Sequence, residues 1–194
     1  DNALHYDEAI TLQHEVEHQR DRLQLVLEIN NSVVSNLELH ALFQALSVSL
    51  KRVVPHDSAC LLLPDPQKAD TLRIHALEFP EGRGFLQQDM AISMLHSNAG
   101  RVFREKQPLL VGAGPGFVPY VPADGVRIAS GEGLRSSLVL PLVADAEAIG
   151  VLALASRTEQ AFRPSDVEFL QQLARQIAIA DNNGLRPHAL SESR

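Results

Sequence analysis

The chain has 194 residues, 45% apolar and 21% charged, the profile of a folded globular protein with one sizeable core rather than of a disordered segment. Its 17 Lys and Arg against 24 Asp and Glu leave a formal charge of −7, which disfavours direct nucleic-acid contact; seven Phe, two Tyr and no Trp offer little for base stacking. Cys60 stands alone, so no internal disulfide forms, and neither a signal peptide nor an apolar run near the ~20 residues of a membrane span is present; the reading is a cytoplasmic protein without membrane contact.

No Pro or Gly precedes Pro55, which predicts helix at the start of the chain. Leu12, Val16, Gln19, Leu23, Val26, Asn30 and Val33 recur in alternating steps of three and four, a heptad seam with charged faces on either side. A stripe so narrow needs a partner helix. The simplest partner is a second copy, so residues 1–36 are expected to form a coiled coil in a homodimer, with those seven residues at its interface and Gln19 and Asn30 fixing register.

A second helix with a broader apolar face follows Asn36 and ends at Pro55. Ser58 to Leu63 and Leu72 to Leu77 read as a hairpin, Ser97 to Lys106 as a short helix capped by Ser97, and Leu109 to Val111 as a strand. Residues 112–134 hold six Gly and three Pro and read as one long functional loop. Ser136 to Leu142 and Ala148 to Ala155 form an antiparallel pair, and a last helix opens with Pro164 in its first turn and stops at Gly184 and Pro187. This order predicts an α+β fold, an antiparallel sheet of five to six strands with the N- and C-terminal helices packed on one face and a long N-terminal coiled-coil helix ahead of it.

Several patterns invite a chemical reading. His14-Glu15-Val16-Glu17-His18 matches the zinc-protease spacing, but Val16 lies on the seam and no third ligand is near, so a solvated helix face is the better account and no metal is expected. Gly112, Gly114 and Gly116 lack the following helix a phosphate cradle needs. Cys60 reads as a small buried hydrophobe.

The stretch from Leu37 to Asn182 resembles a GAF domain. The resemblance rests on Gly100-Arg101-Val102-Phe103 with Gln107-Pro108-Leu109-Leu110-Val111, Leu134-Arg135-Ser136-Ser137-Leu138 through Pro141-Leu142, Ile149-Gly150-Val151-Leu152, and Phe162 followed by Asp166 and Leu173-Ala174. Leu27 to Leu46 and Gln176 to Asn182 are similar to a sensor domain of the formate-hydrogenlyase-activator type of sigma-54-dependent transcriptional regulators. The resemblance implies a linker helix over 1–36, a sensing domain over 37–183 and a tail over 184–194. It also implies a non-catalytic regulatory role without a cofactor, and an attached output domain outside this chain. Of the cyclic-nucleotide signature of some GAF domains only Phe162 and Asp166 remain, and the several cysteines of GAF-fold sulfoxide reductases are replaced by one.

An unidentified small molecule between sheet and loop is the function expected. Ser58, Cys60 and His75 on the hairpin, Phe117 and Tyr120 on the loop, and Arg135, Ser136 and Ser137 at the start of a strand are the candidate ligand-binding residues, with Arg135 suited to a carboxylate. The alternative is a dimerisation and protein-interaction module whose pocket is filled by its own side chains. Replacing Leu23 and Val26 together by Glu places charge in the apolar seam, and the expected outcome is a monomer by light scattering where the parent chain is a dimer.

Overall fold

The structure, a computed structural model, describes residues 17–22 and 36–192, with side chains within 17–22 and 41–178 apart from 42 and 46. Asn36–Val53 forms helix α1, and the chain turns at Pro55 into strand β1, Ser58–Pro64, which pairs antiparallel with β2, Thr71–Glu78. Leu61 faces Ala76 and Leu62 faces Ile74, so His75 is the extra residue of a β-bulge. A connection over 79–90 leads to β3, Ala91–Ser93, followed by α2, Asn98–Glu105, and β4, Leu109–Gly112. Helix α3, Asp124–Glu132, precedes the hairpin of β5, Ser136–Ala144, and β6, Glu147–Ser156, and α4, Pro164–Glu192, ends the described chain.

The six strands lie in the order β3-β2-β1-β6-β5-β4, with every neighbouring pair antiparallel. Strands β1, β5 and β6 are buried over most of their length without alternation, which requires both sheet faces to be covered. On one face α1 and α4 place Phe43, Leu50, Phe169, Leu170 and Leu173 against Leu61, Leu140, Leu152 and Leu154. On the other, Cys60, Leu62, Ile74, Val139 and Val151 meet Val102 of α2 and the segments around it. The terminal pair thus packs on one face, as expected, and the short pair covers the opposite one.

Three elements depart from the sequence reading. β3 has three residues, too few for a pattern to register, and is held by pairing with Thr71, Leu72 and Arg73. Within the expected loop over 112–134, α3 starts after Pro122 with Asp124 in its first turn and stops at Gly133, whose φ of 73° lets its N–H cap Ala129 and Ser130. Helix α4 continues through Gly184 and Pro187 to Glu192 instead of ending there. Its start is as expected, with the Asp166 carboxylate accepting from the Arg163 N–H at 2.9 Å.

Of the expected coiled-coil seam, Leu12, Val16, Leu23, Val26, Asn30 and Val33 lie outside the described residues. Residues 17–22 are helical, and Gln19 is exposed on them. Arg22 sets its guanidinium 4.2 Å from the centroid of the Phe169 ring, so this segment is held against α4 by a cation–π contact. No helix among the described residues is long and apolar enough to cross a membrane.

The connection over 79–90 is fastened to α3 by one carboxylate. Glu132, 0% exposed, accepts from the N–H of Arg83 at 2.7 Å, of Phe85 at 2.8 Å and of Leu86 at 2.9 Å. A Cβ at Gly131 would overlap the Phe85 ring, so glycine there lets the ring close over the helix. Arg157 completes the knot: it donates from Nε to the Glu132 carbonyl at 3.0 Å and from Nη2 to the Glu81 carbonyl at 2.7 Å, while its own N–H reaches Asp57 Oδ2 at 2.7 Å.

Burial by itself would raise the Glu132 carboxyl, but the three N–H donors and the Arg157 charge outweigh it and hold it below its ordinary 4.5. A carboxyl depressed by folding stabilises the fold above its unfolded value, and that stability is lost as pH falls through the folded one. Glu132→Gln exchanges an acceptor for a donor against these N–H groups; the expected loss at pH 7 is roughly 2–4 kcal/mol. Urea unfolding at pH 7 and at pH 3 should show the gap between the two proteins narrowing in acid. Parallel pH profiles would contradict the clamp.

Candidate functional site

Between the sheet and the roof formed by α3 and the connection over 79–90 lies a cavity of about 360 Å³. This is within the range of small-molecule sites, roughly 300–1,000 Å³. Its floor follows from strand register. Ser58 of β1 and Ser137 of β5 both face Ala155 of β6, and one step along the strands Cys60 and Val139 both face Ala153. Four of these six side chains are no larger than serine, and Cys60 is small as well, so the sheet recedes where neighbouring rows carry Leu62 and Val151. The hollow is made by small residues sharing one face at one level of the sheet.

Walls and roof come from elsewhere in the chain. Ile74 of β2, Leu86 and Met90 close one side, and α2 arrives with its first turn, where Ser97 Oγ accepts from the Gly100 N–H at 2.9 Å. Asn98 ties the loop after β4 to α2, its Oδ1 accepting from the Val121 N–H at 3.2 Å and its Nδ2 donating to the Pro119 carbonyl at 3.3 Å. That loop delivers Tyr120, whose hydroxyl lies 2.8 Å from Ser137 Oγ. Asp124 and Arg127 of α3 reach the cavity from its exposed edge and pair with each other at 3.7 Å.

The interior is uncharged. Burial pushes the Cys60 thiol up to about 12, so it is protonated at neutral pH and is no nucleophile. The Tyr120 hydroxyl is raised by burial, with the Ser137 hydrogen bond acting in the opposite direction. Ser58 is 1% exposed and lines the cavity; its backbone is paired in the sheet, and its side-chain hydroxyl meets no hydrogen-bond partner among the described residues. Among those residues no group of three or more His, Cys, Asp or Glu is placed to hold a metal.

Of the residues expected from the sequence, the structure brings Ser58, Cys60, Tyr120 and Ser137 together around this cavity. The other four lie outside its lining. His75 occupies the β2 bulge, and Phe117 donates its N–H to the Gly114 carbonyl at 3.2 Å just before the bridge between Val111 and Val118. Arg135 is turned to Glu159, Nη1 to Oε1 at 2.9 Å, not towards a ligand carboxylate. Ser136, one residue out of phase with Ser137, donates to the Thr158 carbonyl at 2.7 Å and accepts from the Ala161 N–H, fastening the turn into α4.

Sequence reasoning missed Ile74, Met90 and Ile128, together with Ser93 and the run from His96 to Ala99. One signal was available: strands otherwise built of Leu and Val carry Ser58, Cys60, Ser137, Ala153 and Ala155 at alternate positions.

Against known proteins, the GAF domain family model matches residues 38–180. The chain is 24% identical over 168 residues to the formate hydrogenlyase transcriptional activator of Salmonella typhimurium (strain SL1344), covering 86% of this chain and 24% of that protein. It therefore spans about a quarter of the length of that curated relative. Among solved structures it is similar to the free methionine-R-sulfoxide reductase of Neisseria meningitidis in complex with its substrate, with a TM-score of 0.66 and 18% identity over 88% of this chain and 91% of the other. It is similar, too, to the phycoerythrobilin-bound GAF domain of a cyanobacterial phytochrome, with a TM-score of 0.67 and 16% identity over 88% and 99%. At such identities these likenesses establish the fold alone. With the family model matching most of its length and the antiparallel sheet enclosed as described, the chain belongs to the GAF domain family.

Proposed function

We propose that this chain is a non-catalytic, small-molecule-sensing domain of a bacterial signalling or transcription-regulatory protein, with its ligand in the cavity under α3 and its output domain outside this chain. The observation that carries the reading is the cavity: an apolar hollow with a few hydroxyls and a roof that rests on one clamp. An interaction module filled by its own side chains has no need of such a space. The similarity to a transcriptional activator supports a regulatory setting, and a protonated Cys60 beside a protonated Tyr120 supports binding without covalent chemistry.

The route from ligand to output follows the sheet. Cys60 and Ala153 face the cavity, while the adjoining Leu61 and Leu154 pack on the α1 and α4 side. A ligand that favours one spacing of these strands therefore favours one seating of α4, and through Phe169 and Arg22 one seating of the incoming helix. In the proposed homodimer the N-terminal helices of two copies carry that difference onward.

Screening a small-molecule library by thermal unfolding tests the reading. A ligand at a hundred times its Kd stabilises the native chain by about 2.7 kcal/mol. Ala153→Leu fills the floor between Cys60 and Val139, and the expected result is that compounds raising the Tm of the parent chain leave this variant unmoved. A library without effect on either protein would favour the interaction module instead.

A further inference from the structure

The chemistry of the cavity narrows its ligand class, granted the sensor reading of the preceding section. Besides Cys60 and Tyr120, which stay protonated, three titratable side chains reach the space among the described residues, Asp124, Arg127 and His96, and all three are exposed. Arg127 is already paired with Asp124, and Arg135, the cation best suited by sequence to a carboxylate, is engaged with Glu159. A charged ligand on the floor would give up its water with no opposite charge there to replace it. The interior selects against ions.

The polar groups of the floor are placed unevenly. Ser58 and Ser137 flank Ala155 in one row across three strands, so their backbone positions stand about 10 Å apart, two strand spacings. The Ser137 hydroxyl is taken by Tyr120. The Ser58 hydroxyl, buried and opening on the cavity, makes no hydrogen bond among the described residues. Being both donor and acceptor, it can serve an amide, a hydroxyl or a ring nitrogen equally. Between the two serines the floor is Ala155, with Cys60 and Ala153 beside it, a low apolar surface suited to a flat ring. An apolar cavity of about 150 Å³ holds benzene, and the present one measures about 360 Å³.

We propose that the ligand of this cavity is an uncharged, largely apolar molecule of one or two fused rings, with one polar end hydrogen-bonded to the Ser58 hydroxyl. Indole-3-carboxamide and indole-3-carboxylate have nearly the same shape and differ in charge, so titrating both into the 194-residue chain, followed by amide NMR shifts of the floor strands, tests the class. Xenon, which enters any accessible apolar hollow, is added separately to report on the cavity itself.

The result expected is that xenon shifts the Cys60 and Ala153 amides and that the carboxamide binds at least about tenfold more tightly than the carboxylate. Ser58→Ala should weaken the carboxamide about tenfold, Ser58→Thr should retain it, and xenon should bind all three proteins alike. If xenon enters but the carboxylate binds as well as the carboxamide, if neither binds, or if Ser58→Ala changes nothing, the ligand class is overturned while the sensor reading stands. If xenon fails to reach the floor, the sensor reading falls and this proposal with it.

Discussion

The cavity has a roof because one carboxylate is buried beneath it. The connection over 79–90 packs Leu86 and Met90 against the sheet side, but its backbone N–H groups around two glycines still need acceptors. Three of these N–H groups converge on Glu132, which is fully buried at the end of α3. A buried carboxylate tolerates so dry a position only when its lone pairs are satisfied, and here three backbone N–H donors satisfy them while the Arg157 charge adds its attraction. The dependence is mutual. Arg157 in turn binds carbonyls on both pieces of the roof and, through its own N–H, the start of β1, so sheet, helix and connection are joined at one point.

A roof without a recess below would collapse onto the sheet. The recess exists because two adjacent rows of β1, β6 and β5 bring serines, alanines and a cysteine to the same face, where the next row has Leu62 and Val151. On the opposite face those same strands carry Leu61, Leu138, Leu140 and Leu154, packed against the two long helices. The sheet is therefore a shared wall. A change in what fills the hollow is felt by the helices because interiors at native packing density yield little to either side.

Legibility in the sequence followed the strength of local constraints. The hairpins of β1 with β2 and of β5 with β6, the Ser97 cap of α2 and the Pro164 start of α4 were each written in a few neighbouring residues. Helix α3 was hidden because it covers a cavity: it buries only Ala129 and Glu132 while Val126 is 45% exposed, so it lacks the apolar stripe that announces a packed helix. The continuous apolar runs of β1, β5 and β6 did imply helices on both faces, an implication overlooked in favour of the long terminal helices. Ser58, Cys60, Tyr120 and Ser137 were within reach because they lie on strands or a loop of evident type. Ser136 falls outside the lining because a strand alternates and it stands one residue out of phase with Ser137, whereas Arg135, just before β5, is turned away by its pairing with Glu159.

By itself, then, the amino-acid sequence determined the fold class and the chain order of the main elements, because apolar periodicity, caps and turn residues act over a few positions and survive in any context. The family was carried by the resemblance of motifs such as Gly100-Arg101-Val102-Phe103 and Ile149-Gly150-Val151-Leu152. Tertiary structure alone decided where the hollow lies and what charge it tolerates. Those depend on register between strands distant in the chain, on which hydroxyl is already taken by Tyr120, and on whether Arg135 finds Glu159. Such facts belong to distances in space, which a one-dimensional pattern does not carry.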